Sequence, residues 1–341
     1  MALSDLHTNY TDSYKDDLKN LTKSRENPEL KGGDLDNLNA HADETANSIA
    51  MGYGYDLFQN YSTITTDLSG LATSVDSDFT NAQALQAVAD LINTHKVKVG
   101  NNWQFQAGGD IDSLTTLRNK INSYITLSTE ANAETLMLKK LNSLETQVKN
   151  KTGLTESNEL IALVDMAYNG GMGLIGDNLT NAIKNDNRAA AWYEIRYASN
   201  APKKDAKDEY ILSADGTKIR SYGLQNRREE QSNMFGLYSS SDGKTPQSDN
   251  EAKQAIRFLE EKREAIKTYL SQVKNDKGVV KGDIEDLNNS LAPAKTLLIT
   301  NYAQDVTIDG DIIVGQGIGT IPENYADGVI IGMVLVIEAK T

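Results

Sequence analysis

The sequence predicts an α+β fold: a mainly helical body, a small β-hairpin lobe near its amino end, and a short β-rich carboxy-terminal module. Three observations carry this expectation. Between residues 64 and 274 apolar side chains recur mostly at helical spacing. A glycine-rich stretch, Gly52-Tyr53-Gly54-Tyr55-Asp56, breaks any helix and reads as a tight hairpin. Beyond residue 295 the chain turns to Ile, Val and Gly punctuated by Asp-Gly turns. The expected divisions are 1–245, a connecting amphipathic helix over 246–290, and a small β-rich tail over 291–341.

Residues 4–24 place Leu6, Tyr10, Tyr14, Leu18 and Leu21 on one helical face, and Asn27-Pro28 ends that helix. Residues 30–58, rich in Gly, Asp and Asn, read as loops with short strands. A helix follows with Ala82, Leu85, Val88 and Leu91 inward. Lys96 to Gln106 then alternates with period two around Gly100-Asn101-Asn102, the pattern of a hairpin. Leu160, Leu163, Val164, Ala167 and Tyr168 mark a helix starting at Thr155-x-x-Asn158, and Asn185–Ser199 another. Residues 201–222 are charged and irregular; a helix begins near Gly223. Residues 249–274 form a charged amphipathic helix with Ala255, Phe258, Leu259, Ala265, Ile266 and Leu270 inward. From 295 to 338, "TLLITNY", "DVTIDGDIIVGQG" and "DGVIIGMVLVIEA" read as short strands.

Composition narrows the chemistry. No cysteine is present, which removes disulfides, thiolate metal sites and cysteine nucleophiles. The three histidines, His7, His41 and His95, form no H-x-x-x-H pair, so neither a metal nor another cofactor is expected. A net charge of −14 argues against nucleic acid and against anionic membrane surfaces as partners. No apolar run reaches the ~18 residues of a membrane span, and the start lacks the basic-then-apolar pattern of a secretory signal.

Several motifs have plain structural readings. Gly171-x-Gly173-x-x-Gly176 matches a dinucleotide fingerprint but follows a helical rather than a strand pattern, so it reads as a helix–helix turn. Trp192 fits the core side of an amphipathic helix. Arg227-Arg228, beside Glu229 and Glu230, reads as an anion site or as a salt-bridged helix start. Glu26 closes the first helix and Asp56 follows the glycine turn. Two carboxylates from different elements are the minimum equipment for glycosidic hydrolysis.

Three segments in order resemble a known family: "SREN…SIAMGYGYDL", "ELIALVDMAYNGGMGLIGDNLTNAI" and "NRAAAWYEIRYASN…GLQNRREEQSNMFGLY". Together they resemble the phage-type lysozymes of glycoside hydrolase family 24, and more closely their pesticin-like branch. The resemblance covers roughly residues 20–240, with residues 60–150 matching only as a helical lobe. It implies a lysozyme-like fold and a muramidase that cleaves the β-1,4 bond between N-acetylmuramic acid and N-acetylglucosamine in peptidoglycan, by acid–base catalysis with inversion. Glu26 is then the general acid, with Glu29 as the fallback. Asp56 is the second carboxylate, with Asp43 or Glu44 as alternatives. Tyr53 and Tyr55, Asn169 and Arg227 stand as substrate contacts, the two tyrosines equally as packing residues. Action in the periplasm or extracellular wall would require delivery by a secretion system or phage lysis, with an immunity or delivery protein as a further partner. The sequence departs from the family at one place. Where the family has the threonine that helps hold the nucleophilic water stands Ala50, whose methyl cannot hydrogen-bond. Ser48 or Thr45 would have to substitute; otherwise the chain is a catalytically impaired module that binds glycan or a protein partner.

Overall fold

The computed structural model describes residues 13–26, 38–44, 46–100, 102–204, 209–213, 216–274, 280 and 284–302. It divides into two compact units, one spanning Thr11–Gln147 and the other built from Val148 onward.

The first unit opens with α1 (Tyr14–Glu26), whose Tyr14 and Leu18 are buried as the sequence predicts. A three-stranded antiparallel sheet follows, β1 (Ala40–Asp43), β2 (Ser48–Met51) and β3 (Tyr55–Asp56). Its register pairs Ala40 with Met51, His41 with Ala50 and Asp43 with Ser48, then Ala50 with Asp56 and Met51 with Tyr55. Directly opposed residues share a face. One face therefore carries Ala40, Ala42, Ile49, Met51 and Tyr55. The other carries His41, Asp43, Ser48, Ala50 and Asp56. The first face is core: Ala40, Ile49, Met51 and Tyr55 are all buried.

A short helix, α2 (Ile64–Asp67), leads to β4 (Ala72–Ser74) and to α3 (Asn81–Thr94). Thr80 and Gln83 start α3 with a reciprocal capping box, satisfying two otherwise unpaired backbone donors. The hairpin of β5 (Lys96–Val99) and β6 (Asn102–Phe105) forms where alternation predicts it, with Gly100 at φ +61°. Next come α4 (Leu114–Asn122) and β7 (Ile125–Leu127), which pairs with β4. The unit closes with the long α5 (Glu130–Thr152), in which the division between units falls.

The second unit holds α6 (Asn158–Gly170), α7 (Asp177–Lys184) and α8 (Arg188–Tyr193), the last running into a π-helical turn over Glu194–Ala198. The N-cap of α6 is Ser157, not Thr155; its hydroxyl accepts from Leu160 N. The glycine run at 170–176 is indeed a helix–helix turn: Gly171, at φ +80°, leads into a single 3-10 turn at Met172–Leu174. Then follow β8 (Arg220–Ser221), α9 (Tyr222–Phe235), α10 (Asp249–Glu261), α11 (Arg263–Gln272), β9 (Val273–Lys274) and α12 (Glu285–Tyr302). Trp192, Tyr197, Leu237, Ala255, Leu259, Ile266, Leu287 and Leu291 share one core, so segment 246–290 and the start of the tail pack with the elements before residue 245. Trp192 is a core residue, 3% exposed.

Several expectations are overturned: Ala82 and Ala265, expected inward, are exposed, and the single helix expected over 249–274 is two, α10 and α11, followed by β9. "TLLITNY", residues 296–302, is not a strand but the end of α12. Leu287, Leu291 and Ala294 are buried at i, i+4 and i+7, so helical burial upstream carries the β-branched run along. The remaining expected strands of the tail lie outside the described residues. Among the described residues no helix is long and apolar enough to cross a membrane.

Gly52 explains the glycine turn. It sits at φ +56°, and a Cβ there would lie 3.0 Å from the Cβ of Ala133 on α5 and 3.1 Å from Leu127. Gly54 also has positive φ, at +87°. The close approach that the glycines permit is that of the protein's own helix. Gly52→Ala is expected to destabilise the fold by about 2–4 kcal/mol, through overpacking plus left-handed strain. A urea midpoint unchanged from wild type would contradict this.

Candidate functional site

Asp56 is the best-defined carboxylate of the first unit. Three donors converge on one of its oxygens: Oδ1 accepts from Ser48 Oγ at 2.7 Å, Phe58 N at 2.8 Å and Gln59 N at 2.9 Å. The two backbone donors close a turn in which the side chain stands in for a carbonyl. Oδ2 receives no hydrogen bond among the described residues. Burial nevertheless pushes the Asp56 pKa above the usual carboxylate range, against the donors and the nearby charge of Lys140. Desolvation of the half-buried group therefore outweighs the stabilisation of its charged form.

Glu26 is the last residue of α1 and is half-buried. What relates it to Asp56 is Lys140 on α5, whose ammonium feels both carboxylates. Burial drives the Lys140 pKa down, and the charges of Glu26 and Asp56 oppose that shift. Lys140 belongs to the inward stripe of α5, where Ala133, Met137 and Leu144 are buried at matching spacing. Sequence reasoning missed it, although a lysine within an apolar stripe is a legible signal.

A second group fixes the turn that carries Asp56. Tyr53 Oη donates to Glu130 Oε1 at 2.8 Å, and Lys23 Nζ on α1 donates to the same oxygen at 2.8 Å. Lys23 also pairs with Glu134, and its Nζ lies 5.3 Å from the Tyr53 ring centroid. Tyr55 donates to Asp67 Oδ2 at 2.8 Å. Tyr53 is 1% exposed and Tyr55 4%, so both rings are placed as packing residues rather than as an open wall. They also do not share a strand face: Tyr53 lies in the β2–β3 turn, and only Tyr55 is paired.

The remaining sequence candidates separate as follows. Asp43 is exposed, and its Oδ1 accepts from Ala46 N at 2.9 Å, closing the β1–β2 turn; Glu44 is exposed. Glu29 and Thr45 lie outside the described residues. Ser48 is buried with its hydroxyl donated to Asp56. Ala50 stands between His41 and Asp56 across the polar face of the sheet. His41, which the sequence did not single out as a site residue, has its pKa lowered by burial, with the Asn39 backbone and the Asp43 charge acting the other way.

Asn169 and Arg227 belong to the second unit. Asn169 is exposed at the end of α6. Arg227 on α9 directs Nη2 to Oδ1 of the fully buried Asp165 at 3.1 Å, while Gln231 Nε2 donates to Asp165 Oδ2 at 2.5 Å. The salt-bridged reading of the arginine pair thus describes Arg227. Arg228 is buried and donates to Gln231 Oε1 at 2.6 Å.

Residues 111–231 match the family model described as Phage lysozyme. The matched span contains Lys140, Asn169 and Arg227 and begins after Glu26, Tyr53, Tyr55 and Asp56. Among solved structures, an endolysin from Escherichia coli O157:H7 phage FAHEc1 aligns with 17% identity over 67% of this chain and 94% of that one, with a TM-score of 0.33. No curated protein matches the chain. The family match and the arrangement of helices with small sheets agree on a lysozyme-like α+β class.

Two outcomes test the site's electrostatics. Lys140→Met removes a cation that favours ionised Asp56, so the Asp56 titration, followed by carboxyl carbon NMR, should move to still higher pH. A downward move would contradict this arrangement. Tyr53→Phe should cost about 1.5–3 kcal/mol of stability, the value of a hydrogen bond to a charged group, in a denaturant titration.

Proposed function

We propose that this protein is a peptidoglycan hydrolase of the phage-lysozyme type, a muramidase acting on the β-1,4 bond between N-acetylmuramic acid and N-acetylglucosamine. The observation that carries the reading is the pairing of an anchored Asp56, with Oδ2 left unbonded, and a helix-terminal Glu26 through the shared neighbour Lys140. The family match over residues 111–231 supports it.

In this reading Glu26 holds a proton and passes it to the glycosidic oxygen as the C1–O bond breaks. Asp56 Oδ2 takes a proton from water, whose oxygen bonds to C1 from the opposite face, so the configuration at C1 inverts. Ser48 and the Phe58 and Gln59 amides hold the carboxylate by its other oxygen and fix its direction. Since Asp56 must be ionised and its pKa is raised, activity should fall on the acid side at a pH above the ordinary carboxylate range. A chain of charge −14 has no long-range attraction to an anionic wall, so binding rests on local contacts or on a delivery partner. The site of action is the cell wall, in the periplasm or outside the cell.

Glu26→Gln should lower release of muropeptides from purified sacculi by about 10²–10⁴-fold, the range expected for loss of a general acid, with the melting curve unchanged. Full activity in that variant would remove the assignment. Asp56→Asn keeps an oxygen for the three donors and should be similarly impaired.

Ala50 favours a second reading, a module of the same fold that binds glycan without cleaving it. The methyl lies in the cross-strand row beside Asp56, where a hydroxyl would be placed to hold water. Ala50→Thr separates the two: a gain in muropeptide release shows position 50 limiting the chemistry. Sacculus binding without products, in both wild type and Ala50→Thr, supports the binding module.

A further inference from the structure

The second unit contains a cleft of about 510 Å³, lined by Tyr193, Tyr197, Arg220, Glu264, Thr268, Tyr269 and Gln272 among others. Its volume is in the range of small-ligand sites. Three of its walls are aromatic: Tyr197 packs edge-on against Tyr269 at 5.4 Å and at 5.7 Å from Tyr193. Tyr197 and Tyr269 are buried, and Tyr269 is tied by its hydroxyl to Asn200 and Gln225. Tyr193 is half-exposed at the edge.

Arg220 gives the cleft its chemistry. Its Nε donates to Gln272 Oε1 at 2.7 Å, its Nη1 donates to the carbonyl of Asn200, and its guanidinium lies 4.9 Å from the Tyr269 ring centroid. These partners are all neutral. No carboxylate pairs with Arg220 among the described residues, and its Nη2 and the Tyr193 hydroxyl carry no hydrogen bond there. Burial lowers the Arg220 pKa, and the groups acting against it are the phenols of Tyr269, Tyr193 and Tyr210. A guanidinium held in place by two hydrogen bonds and a ring, in a chain of net charge −14, is a positive charge kept without a counter-ion. Its free edge is planar and suits a carboxylate. One arginine, with Glu264 on the cleft lining, matches a monoanion better than a phosphate dianion.

We propose that this cleft is a binding site, separate from the Glu26 and Asp56 carboxylates, for a sugar acid: its carboxylate on Arg220 Nη2 and the Tyr193 hydroxyl, its ring against the Tyr193 face. The choice of a sugar as the carrier of the carboxylate rests on the proposed wall-glycan substrate; the preference for a monoanion does not.

N-acetylmuramic acid and N-acetylglucosamine make the test, because they share a ring and differ by one O3-lactyl ether group, which carries the carboxylate. Calorimetric titration of the full chain should give the acid about tenfold tighter binding than the neutral sugar, the worth of one charge-assisted contact. That preference should vanish in Arg220→Gln and persist in Arg220→Lys, with thermal melting as the folding control. Tyr193→Phe, a change at a half-exposed hydroxyl, should weaken only the acid, by about fivefold, and it decides the matter if Arg220→Gln fails to fold. Equal affinity for the two sugars, or a preference that survives both Arg220→Gln and Tyr193→Phe, overturns the site. Muropeptide release measured on the same proteins keeps the two readings apart. Hydrolysis without acid preference removes this site alone, and acid preference without hydrolysis removes the catalytic reading alone.

Discussion

The first unit depends on one buried ammonium. Lys23 is 7% exposed, and a charge taken out of water is tolerated only where partners surround it. Glu130 and Glu134 supply two carboxylates, and the Tyr53 hydroxyl shares Glu130 with it. Burial alone would lower the Lys23 pKa; the hydrogen bonds to Glu130 and Glu134 and the charge of Glu134 raise it instead. The two glutamates sit in the opening turns of α5, where negative charge also suits the helix dipole. The end of α1, the start of α5 and the β2–β3 turn are thereby held to a common point. Glu26 lies three residues beyond Lys23 and Asp56 three beyond Tyr53. Both carboxylates thus follow closely on residues held at that point.

The second unit repeats the principle. Arg188 is buried against Glu159 and donates to the carbonyls of Phe235 at 2.6 Å and Gly236 at 3.1 Å, which ties α8 to α6 and to the end of α9. Asp165 binds Arg227 and Gln231, and Gln231 binds Arg228, so the α6–α9 contact is polar at its centre. Such pairs add little net stability over an apolar core, yet each has one arrangement that satisfies it, which sets the register of the helices. Arg220 differs from Arg188 and Arg227 in having only neutral partners among the described residues, and the proposed cleft site rests on that difference.

The helices were legible in the sequence because burial follows period. Leu85 and Val88 in α3, Leu160, Leu163 and Val164 in α6, and Ile266 and Leu270 in α11 are buried as their spacing predicts. The β5–β6 hairpin was legible for the same reason at period two. Asp56 stood out through the turn that precedes it. What could not be read depends on contacts between distant segments. Tyr53 and Tyr55 are equivalent in the sequence pattern, but only the fold brings Glu130 to one and Asp67 to the other. Lys140, whose charge acts with those of Glu26 and Asp56, lies more than eighty residues beyond the sheet. The strand reading of 296–302 followed its apolar composition, yet the helix continues through Pro293, although proline is costly inside a helix. Packing of Leu287 and Leu291 overrides that local preference.

The one-sided anchoring of Asp56 has a geometric consequence. A carboxylate that can swing offers two equivalent oxygens and spreads its action over a cone. Here Oδ1 is committed to the turn that follows β3, so a rotation of the side chain would break three bonds at once. The remaining oxygen acts along a direction set by the backbone at Phe58 and Gln59. Aim at this site is therefore set by two main-chain amides and the Ser48 hydroxyl. Changes in other neighbouring side chains would tune its charge while leaving where it points untouched.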